Sequence, residues 1–189
     1  MIDDKTIPPP EDENHLLERL RTGDEAALRV IFDRYFRYLS ATAFHFLRDP
    51  DKAKDMAQDV FYELWKRRAE IEINSSLKSY LRRAAVNRSL NFLKSQRLDF
   101  SEPETGQKAA ASPEPSAQHQ LEVENLEQAF DRALDKLPPA CRTIFVLSRI
   151  DQLSHREIAE KLEISPKTIE NQMTKALKTL REALKSFLE

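Results

Sequence analysis

A run of polar side chains near the end of the sequence carries the functional groups best suited to contact nucleic acid. Asn and Gln present an amide that pairs with the edge of adenine, whereas Lys donates to guanine or to a phosphate. In a helix, this spacing predicts an outward face that reads base edges in the major groove, beside a helix N-terminus that welcomes phosphate. The candidate residues are Arg156, Ser165, Lys167, Thr168, Glu170, Asn171, Gln172, Lys175 and Lys178.

Positive charge is concentrated in the middle of the chain. Residues 66–98 carry nine Lys and Arg side chains against two Glu, a net charge of +7, although the whole chain of 189 residues has a net charge of −2. Clustered Lys and Arg release counterions from phosphates and supply most of the affinity for nucleic acid. The segment is therefore a candidate phosphate-binding surface, and the alternative interpretation is a solvated helix face.

Other kinds of chemistry have little support in the sequence. The four histidines (His15, His45, His119 and His155) lie far apart and in no metal-binding spacing, and the two glycines cannot form a phosphate-binding loop. A single cysteine, Cys141, can form neither an internal disulfide nor a thiolate cluster, so we expect a small packed residue there. The sequence predicts neither an enzyme nor a cofactor or metal.

Few glycines and a helical periodicity predict an all-α chain of two small helical domains. The predicted domains are a helical bundle over 14–97 and a helix-turn-helix domain over 121–189. A flexible linker over 98–120, rich in Pro, Ser and Ala, joins them, and a disordered tail covers 1–13. No internal repeat is visible.

The chain shows no targeting or membrane-spanning pattern. Its longest aliphatic or aromatic run is the four residues from Ile144 to Leu147, whereas a bilayer crossing takes about 20 apolar residues. The N-terminus lacks the basic and apolar regions of a signal peptide. We therefore expect a cytoplasmic protein without membrane insertion.

Local signals place the predicted helices of the first domain. Gly23-Asp24 separates a short helix from a longer one, Asp49-Pro50 ends that second helix, and Ser75-Ser76 precedes the fourth. Apolar residues recur every three or four positions along each of them, as they do on a buried helix face.

The second domain reads as a helix-turn-helix. Helices are predicted over 121–137 and 141–153, then over 156–162 after a Ser154–Glu157 capping box. Ser165-Pro166 starts the last helix as N-cap and first residue. The residues predicted to face inward on that helix are Ile169, Met173, Ala176, Leu177, Leu180 and Leu184. From the spacing alone, an ordinary helical hairpin is the alternative.

Specific stretches in both halves resemble the bacterial sigma factors. Leu137-Pro138-Pro139 and the run from Leu153 to Glu170 look like their C-terminal promoter-binding domain. The run from Asp55 to Trp65 is similar to their polymerase-binding helix, and Ser79 to Arg88 to their −10-reading helix. Two such domains and no others resemble the extracytoplasmic-function (ECF) group of alternative sigma factors.

The resemblance implies a role for each set of residues. Asp55, Gln58, Asp59 and Glu63 would contact core RNA polymerase, and the helix-turn-helix would read the −35 element. The loop Glu72 to Ser76 would pocket a flipped base. The residues implied for the −10 element are Asn74, Tyr80, Arg82, Arg83, Asn87, Asn91, Lys94 and Arg97. For Tyr80 the alternative is core packing, whereas Phe61 and Trp65 are assigned to the core of the first domain.

The resemblance also implies partners and leaves two alternatives. The partners are core RNA polymerase, promoter DNA and an anti-sigma factor. One alternative is a polymerase-independent transcription regulator, since similar helix-turn-helix domains occur in such activators; the other is an enzyme. The chain departs from the family at Glu163, where Gly is frequent in the turn, and at Tyr80, where Trp is common. Glu163 is therefore either left-handed, at a cost of about 1 kcal/mol, or the turn is slightly rebuilt.

Overall fold

The computed structural model of the protein describes residues 12–96, 98, 100 and 126–185. All regular secondary structure in these ranges is helical, which confirms the predicted all-α class. The chain divides into two compact units between Phe92 and Leu93, and each is described by itself. Within the described ranges, no helix combines the length and apolar character that a membrane crossing requires. Arg97 and most of the predicted tail and linker lie outside these ranges.

The described part of the first unit, from residue 12 onward, contains three helices and most of a fourth. They are α1 (Glu13–Arg21), α2 (Glu25–Leu47), α3 (Pro50–Lys66) and α4 (Leu77–Ser95). α1 therefore begins with Glu13, a residue that the sequence assigned to the disordered tail. The Glu13 side chain has defined partners in α2 and α4 of this unit.

Aspartate caps set the breaks between these helices. The Asp24 carboxylate accepts a hydrogen bond from the Ala26 amide at 2.8 Å, and the Asp49 carboxylate accepts from the amides of Asp51 and Lys52, both at 3.1 Å. Each cap satisfies amides that lack a partner within the first helical turn. Gly23 has φ +88°, a conformation in which an L side chain is strained. Both predicted breaks are confirmed.

The core of the first unit is the apolar stripe of each helix. Phe61 packs into it beside Phe32, with ring centroids 4.9 Å apart, and Trp65 packs against it half-buried, so both aromatic residues serve the core. Burying each Leu or Ile contributes about 1.5–3 kcal/mol. The large side chains most completely buried here are Leu16, Leu20, Ile31, Leu39, Phe46, Leu64, Leu77 and Leu81.

The described part of the second unit contains α5 (Leu126–Asp135), α6 (Pro139–Arg149), α7 (His155–Leu162) and α8 (Pro166–Ala183). α8 packs against the other three helices. The buried Cys141 of α6 lies at this contact, and its Sγ donates to the Gln172 carbonyl oxygen of α8 at 3.2 Å. Cys141 is thus the packed residue that the sequence predicts.

Two predictions for this unit are corrected. α6 spans Pro139–Arg149 rather than 141–153, because proline is accepted at its first turn and the chain turns back at its end, where the Leu153 amide donates to the Leu147 carbonyl at 3.0 Å. Leu177, predicted to face inward, is 41% exposed. Ile169, Met173, Ala176 and Leu180 already fill the buried stripe of α8.

Candidate nucleic-acid and protein interfaces

The outer face of α8 carries a row of exposed polar side chains. Lys167, Asn171, Thr174 and Lys178 recur at intervals of three or four residues and are all exposed. Glu170 lies on the same face, and its carboxylate pairs with the Lys167 ammonium at 3.0 Å. Such a helix face can present amide, hydroxyl and ammonium groups to base edges and phosphates. We call this set the α8 face.

The turn between α7 and α8 holds the α8 N-terminus outward. Glu163 ends α7 in the left-handed region, with φ 61° and ψ 40°, which decides between the two alternatives that the sequence left open. The Ile164 amide then donates back to the Ala159 carbonyl at 3.1 Å. Ser165 caps α8 by accepting from the Thr168 amide at 3.0 Å. The predicted helix-turn-helix start signals are confirmed.

A reciprocal capping box fixes the start of α7. The Glu157 amide donates to the Ser154 hydroxyl oxygen at 3.3 Å, and the Ser154 amide and hydroxyl both donate to the Glu157 carboxylate, at 2.8 and 2.6 Å. The Ser154 hydroxyl, followed by its amide, lowers the pKa of Glu157 below the usual 4.5. A lowered folded-state pKa stabilises the fold above pH about 4.5, and this contribution is lost as pH falls through the folded-state pKa.

Ser154→Ala should lower the unfolding free energy of the second unit by about 1 kcal/mol at neutral pH. Glu157→Gln should lose the pH-dependent part of this stability. The unfolding free energies of wild type and variant should therefore converge as the pH falls below 4.5. The measurement is urea unfolding by circular dichroism. The single Trp and all four Tyr precede residue 81, so fluorescence reports the first unit separately. Glu160→Gln, on the same helix, is the control and should keep the pH dependence of the wild type; an equal loss of that dependence in this variant would contradict the assignment.

Not every residue predicted for this interface is exposed. Gln172 is only 5% exposed, so the prediction that its amide faces the major groove is wrong: it lies three residues after Ile169 and four before Ala176, on the core side of α8. Thr168 and Lys175 are half-buried at the edge of the face. Arg156 is exposed on α7 and pairs with Glu160 at 3.2 Å.

A second polar face runs along α4. Arg83, Asn87, Asn91 and Lys94 follow one another at intervals of four, four and three residues, and all four are exposed. They form a single stripe opposite the residues that α4 buries. A stripe with cationic ends and two amides between them can hold a phosphate backbone while it contacts bases. We call it the α4 face.

The other residues predicted beside the α4 face differ in exposure. Arg82 is half-buried, and its guanidinium donates to the Tyr38 hydroxyl at 2.9 Å. Tyr80 packs half-buried against the core, in agreement with the core alternative. Asn74 is exposed in the loop before α4, and Lys78 is exposed with its ammonium 4.9 Å from the Tyr38 ring centroid.

The exposed side of α3 carries the residues predicted to bind a protein. Asp55 and Gln58 are exposed, whereas Asp59 and Glu63 are half-buried. Asp59 pairs with Arg88 of α4 at 2.9 Å, so one carboxylate of this set forms an ion pair with an arginine of the positively charged segment 66–98. We call Asp55, Gln58, Asp59 and Glu63 the α3 face.

Two residues of these faces escaped the sequence analysis. Tyr62 is 61% exposed and follows Gln58 by four residues, so an aromatic ring lies on the polar α3 face. Thr174 lies between Asn171 and Lys178 on the α8 face. Its hydroxyl donates to the Glu170 carbonyl of its own helix at 2.9 Å. The helical interval could have identified both, and the presence of Tyr on a polar stripe is itself a signal for an interface.

Among the described residues, no cluster of His, Cys, Asp and Glu could hold a metal.

Both units match known families. Residues 31–98 match the family described as Sigma-70 region 2, which covers the α3 and α4 faces, and residues 127–180 match Sigma-70, region 4, which covers the helix-turn-helix. The two matches account for most of the chain, in the order that the sequence predicts.

Relatives that align over nearly their whole length are also named as RNA polymerase sigma factors. The RNA polymerase sigma-H factor of Pseudomonas aeruginosa is 23% identical over 94% of this chain and 96% of its own length. The ECF RNA polymerase sigma-E factor of Escherichia coli is 27% identical over 89% of this chain and 90% of its own length.

A solved structure of the sigma factor RpoE in complex with the anti-sigma factor NepR, from Bartonella quintana, aligns with a TM-score of 0.49 and 23% identity. The alignment covers 83% of this chain and 96% of that one. The family matches, together with the curated relatives, assign the sequence as a whole: the chain belongs to the sigma-70 family of RNA polymerase sigma factors, in its ECF group.

Proposed function

We propose that the two units divide the work of an alternative sigma factor in the following way. The α3 face docks on core RNA polymerase, the α4 face and the loop before it receive the −10 element, and the α8 face reads the −35 element. The observation that carries this division is that each polar face lies on its own helix, with at least two exposed side chains, in the stretch of chain whose family match fits its role.

At the −35 element, α8 enters the major groove with its N-terminal half. Lys167 and Asn171 lie within the first two turns of the helix, the part of a recognition helix that contacts base edges. Asn171 supplies the amide that suits adenine, and Lys178 reaches phosphate further along the helix. Pro166 has no N–H and the Ser165 hydroxyl takes the Thr168 amide, so at this N-terminus the Lys167 amide is directed toward the backbone of the DNA.

At the −10 element, the α4 face holds single-stranded DNA. Strand opening requires that unpaired bases are captured, and a cationic stripe with amides next to a loop performs that task. Arg83 and Lys94 contact phosphates, whereas Asn87 and Asn91 contact bases or the sugar-phosphate backbone. Arg82 contacts the same DNA from the edge of the α4 face, and Asn74 contacts it from the loop.

The protein itself performs no covalent step. Sigma factors are non-catalytic initiation factors, so RNA synthesis belongs to the polymerase and this chain supplies promoter choice and DNA melting. The proposal places it in the cytoplasm, where core RNA polymerase is found. It also includes an anti-sigma factor that covers one or more of the three faces.

Tyr62→Ala should weaken the complex with core RNA polymerase by about tenfold, because an exposed aromatic ring on a protein-binding face contributes apolar contact area. Tyr62→Phe should retain most of the affinity. Titration of fluorescently labelled protein with core polymerase measures both variants. Tyr38→Phe, which alters a tyrosine on α2 instead, is the control, and an affinity unchanged by Tyr62→Ala would remove this residue from the interface.

The division is tested first by co-elution of the purified protein with sigma-free core RNA polymerase on a sizing column. A stable complex supports the docking role, and promoter fragments can then be selected from a random DNA pool with the complex. Absence of a complex, together with direct binding to duplex DNA, would instead favour the polymerase-independent regulator.

A further inference from the structure

The loop between α3 and α4 is attached to α1 at both of its ends. At the start of the loop, the Arg21 guanidinium donates to the Ile71 carbonyl oxygen at 3.4 Å. At its end, the Glu13 carboxylate accepts a hydrogen bond from the Leu77 amide at 3.1 Å. Between these points lie residues 72–76, including the exposed Asn74. The conformation of the loop therefore depends on a helix that precedes it by about 50 residues or more.

Glu13 acts as a distant cap for α4. Leu77 is the first residue of that helix, so its amide has no partner within the helix, and the first turn of α4 contains no acidic side chain. Glu13 supplies the missing carboxylate at the positive end of the helix dipole. Ser76 caps the same turn by accepting from the Ser79 amide at 3.2 Å. The loop thus ends at a doubly capped helix start.

Tyr35 holds the Glu13 side chain in place. Its hydroxyl donates to one carboxylate oxygen of Glu13 while the Leu77 amide donates to the other. Burial, followed by the neighbouring Glu13 carboxylate, raises the pKa of Tyr35 above its usual value, so the hydroxyl remains a donor at neutral pH. One carboxylate therefore joins α1, α2 and α4.

α1 is itself firmly anchored. Leu16 and Leu20 are buried in the core, with 0% and 2% of their surface exposed. The Arg19 guanidinium of α1 pairs with Asp24, the N-cap of α2, at 2.8 Å. A helix fixed in this way can transmit a defined position to the loop, in which Ile73 packs against the core and the other four residues are exposed.

We infer that Glu13 and Arg21 are positioning residues of promoter opening: they hold the loop 72–76 in the shape that receives an unpaired base of the −10 element. The inference rests on the proposed role of the α4 face and its loop. Neither residue touches DNA in this account, because both act through the backbone of the loop, at Ile71 and Leu77.

The test separates loop positioning from folding and from polymerase binding. Holoenzyme is assembled from core polymerase and full-length protein, then mixed with a selected promoter that carries 2-aminopurine in its −10 element. The rate constant of the fluorescence rise at saturating holoenzyme reports opening and does not depend on the fraction of active protein. Trp65 fluorescence during urea unfolding reports the stability of the first unit.

Glu13→Ala should slow opening by about tenfold, the factor that corresponds to one charge-assisted hydrogen bond. Glu13→Gln should slow it less, because the amide oxygen still accepts from Leu77, and Arg21→Gln should slow it as well. Affinity for core polymerase should stay at the wild-type value in all three. Glu18→Ala, an exposed glutamate on α1, and Arg29→Gln, an exposed arginine on α2, are the matched controls.

Each outcome decides a different claim. Wild-type opening rates in Glu13→Gln, Glu13→Ala and Arg21→Gln would overturn the inference and leave the proposed function intact. Equal slowing by the control variants would also overturn it. If Glu13→Ala fails to fold, Glu13→Gln and Arg21→Gln decide by the same rate constant. If the wild-type holoenzyme opens no selected promoter, the proposed function itself fails.

Discussion

Replacing Asp55 and Gln58 together by alanine is expected to lower the affinity for core RNA polymerase by roughly 100-fold, since a few central polar anchors carry most of the free energy of a protein interface. Both side chains are exposed on α3, so the unfolding free energy should change by no more than about 0.5 kcal/mol. Affinity is measured by titration with labelled protein, and stability by Trp65 fluorescence in urea.

The matched control for this pair removes two other acids of the first unit. Glu18 on α1 and Asp33 on α2 are exposed and lie outside the α3 face, so Glu18→Ala with Asp33→Ala should leave the affinity for polymerase unchanged. Undiminished binding by the Asp55→Ala, Gln58→Ala protein would refute α3 as the docking helix. Equal loss in the control would indicate a general charge effect instead.

Lys167→Ala with Asn171→Ala is expected to abolish preference for the −35 element and to leave polymerase binding intact. Loss of an Asn contact to a base costs about 1–3 kcal/mol of discrimination. Loss of a Lys contact to phosphate weakens all sequences alike and lowers the salt slope by about 1. Holoenzyme binding to duplexes with intact and scrambled −35 elements, at several salt concentrations, measures both effects.

The single variants assign the two roles separately. Lys167→Ala alone should change the salt slope if this residue contacts phosphate, and Asn171→Ala alone should change discrimination if it reads a base. Arg181→Ala with Glu182→Ala, exposed near the end of α8, is the control. Retained −35 preference in the double variant at Lys167 and Asn171 would show that another surface reads this element.

Features governed by nearby residues could be predicted from the sequence. The caps at Asp24, Asp49, Ser154 and Ser165 each bond to an amide two or three positions away, so short patterns of residue types identify them. The helical class and the three helices that carry the α3, α4 and α8 faces follow from periodicity in the same way. The left-handed Glu163 was one of two alternatives, because sequence alone does not show whether a turn accepts the strain.

Features governed by packing or by distant contacts could not be predicted. The polar Gln172 is buried and the apolar Leu177 is exposed, the reverse of what their polarity predicts. Their positions on α8 relative to α5, α6 and α7 decide this burial. The Glu13 contact with Leu77 joins residues 64 positions apart, and no local pattern indicates it. The Asp59–Arg88 pair likewise depends on how α3 and α4 meet.

Promoter-dependent transcription tests the central claim most directly. Core RNA polymerase is incubated with a linear template that carries a promoter selected by its complex with this protein, and run-off transcripts are compared with and without the protein. We expect a transcript of defined length that requires the protein and disappears when the −10 element is scrambled. A transcript that core polymerase makes equally well alone, or none in either reaction despite a stable complex, would contradict the assignment of this chain as a promoter-recognising sigma factor.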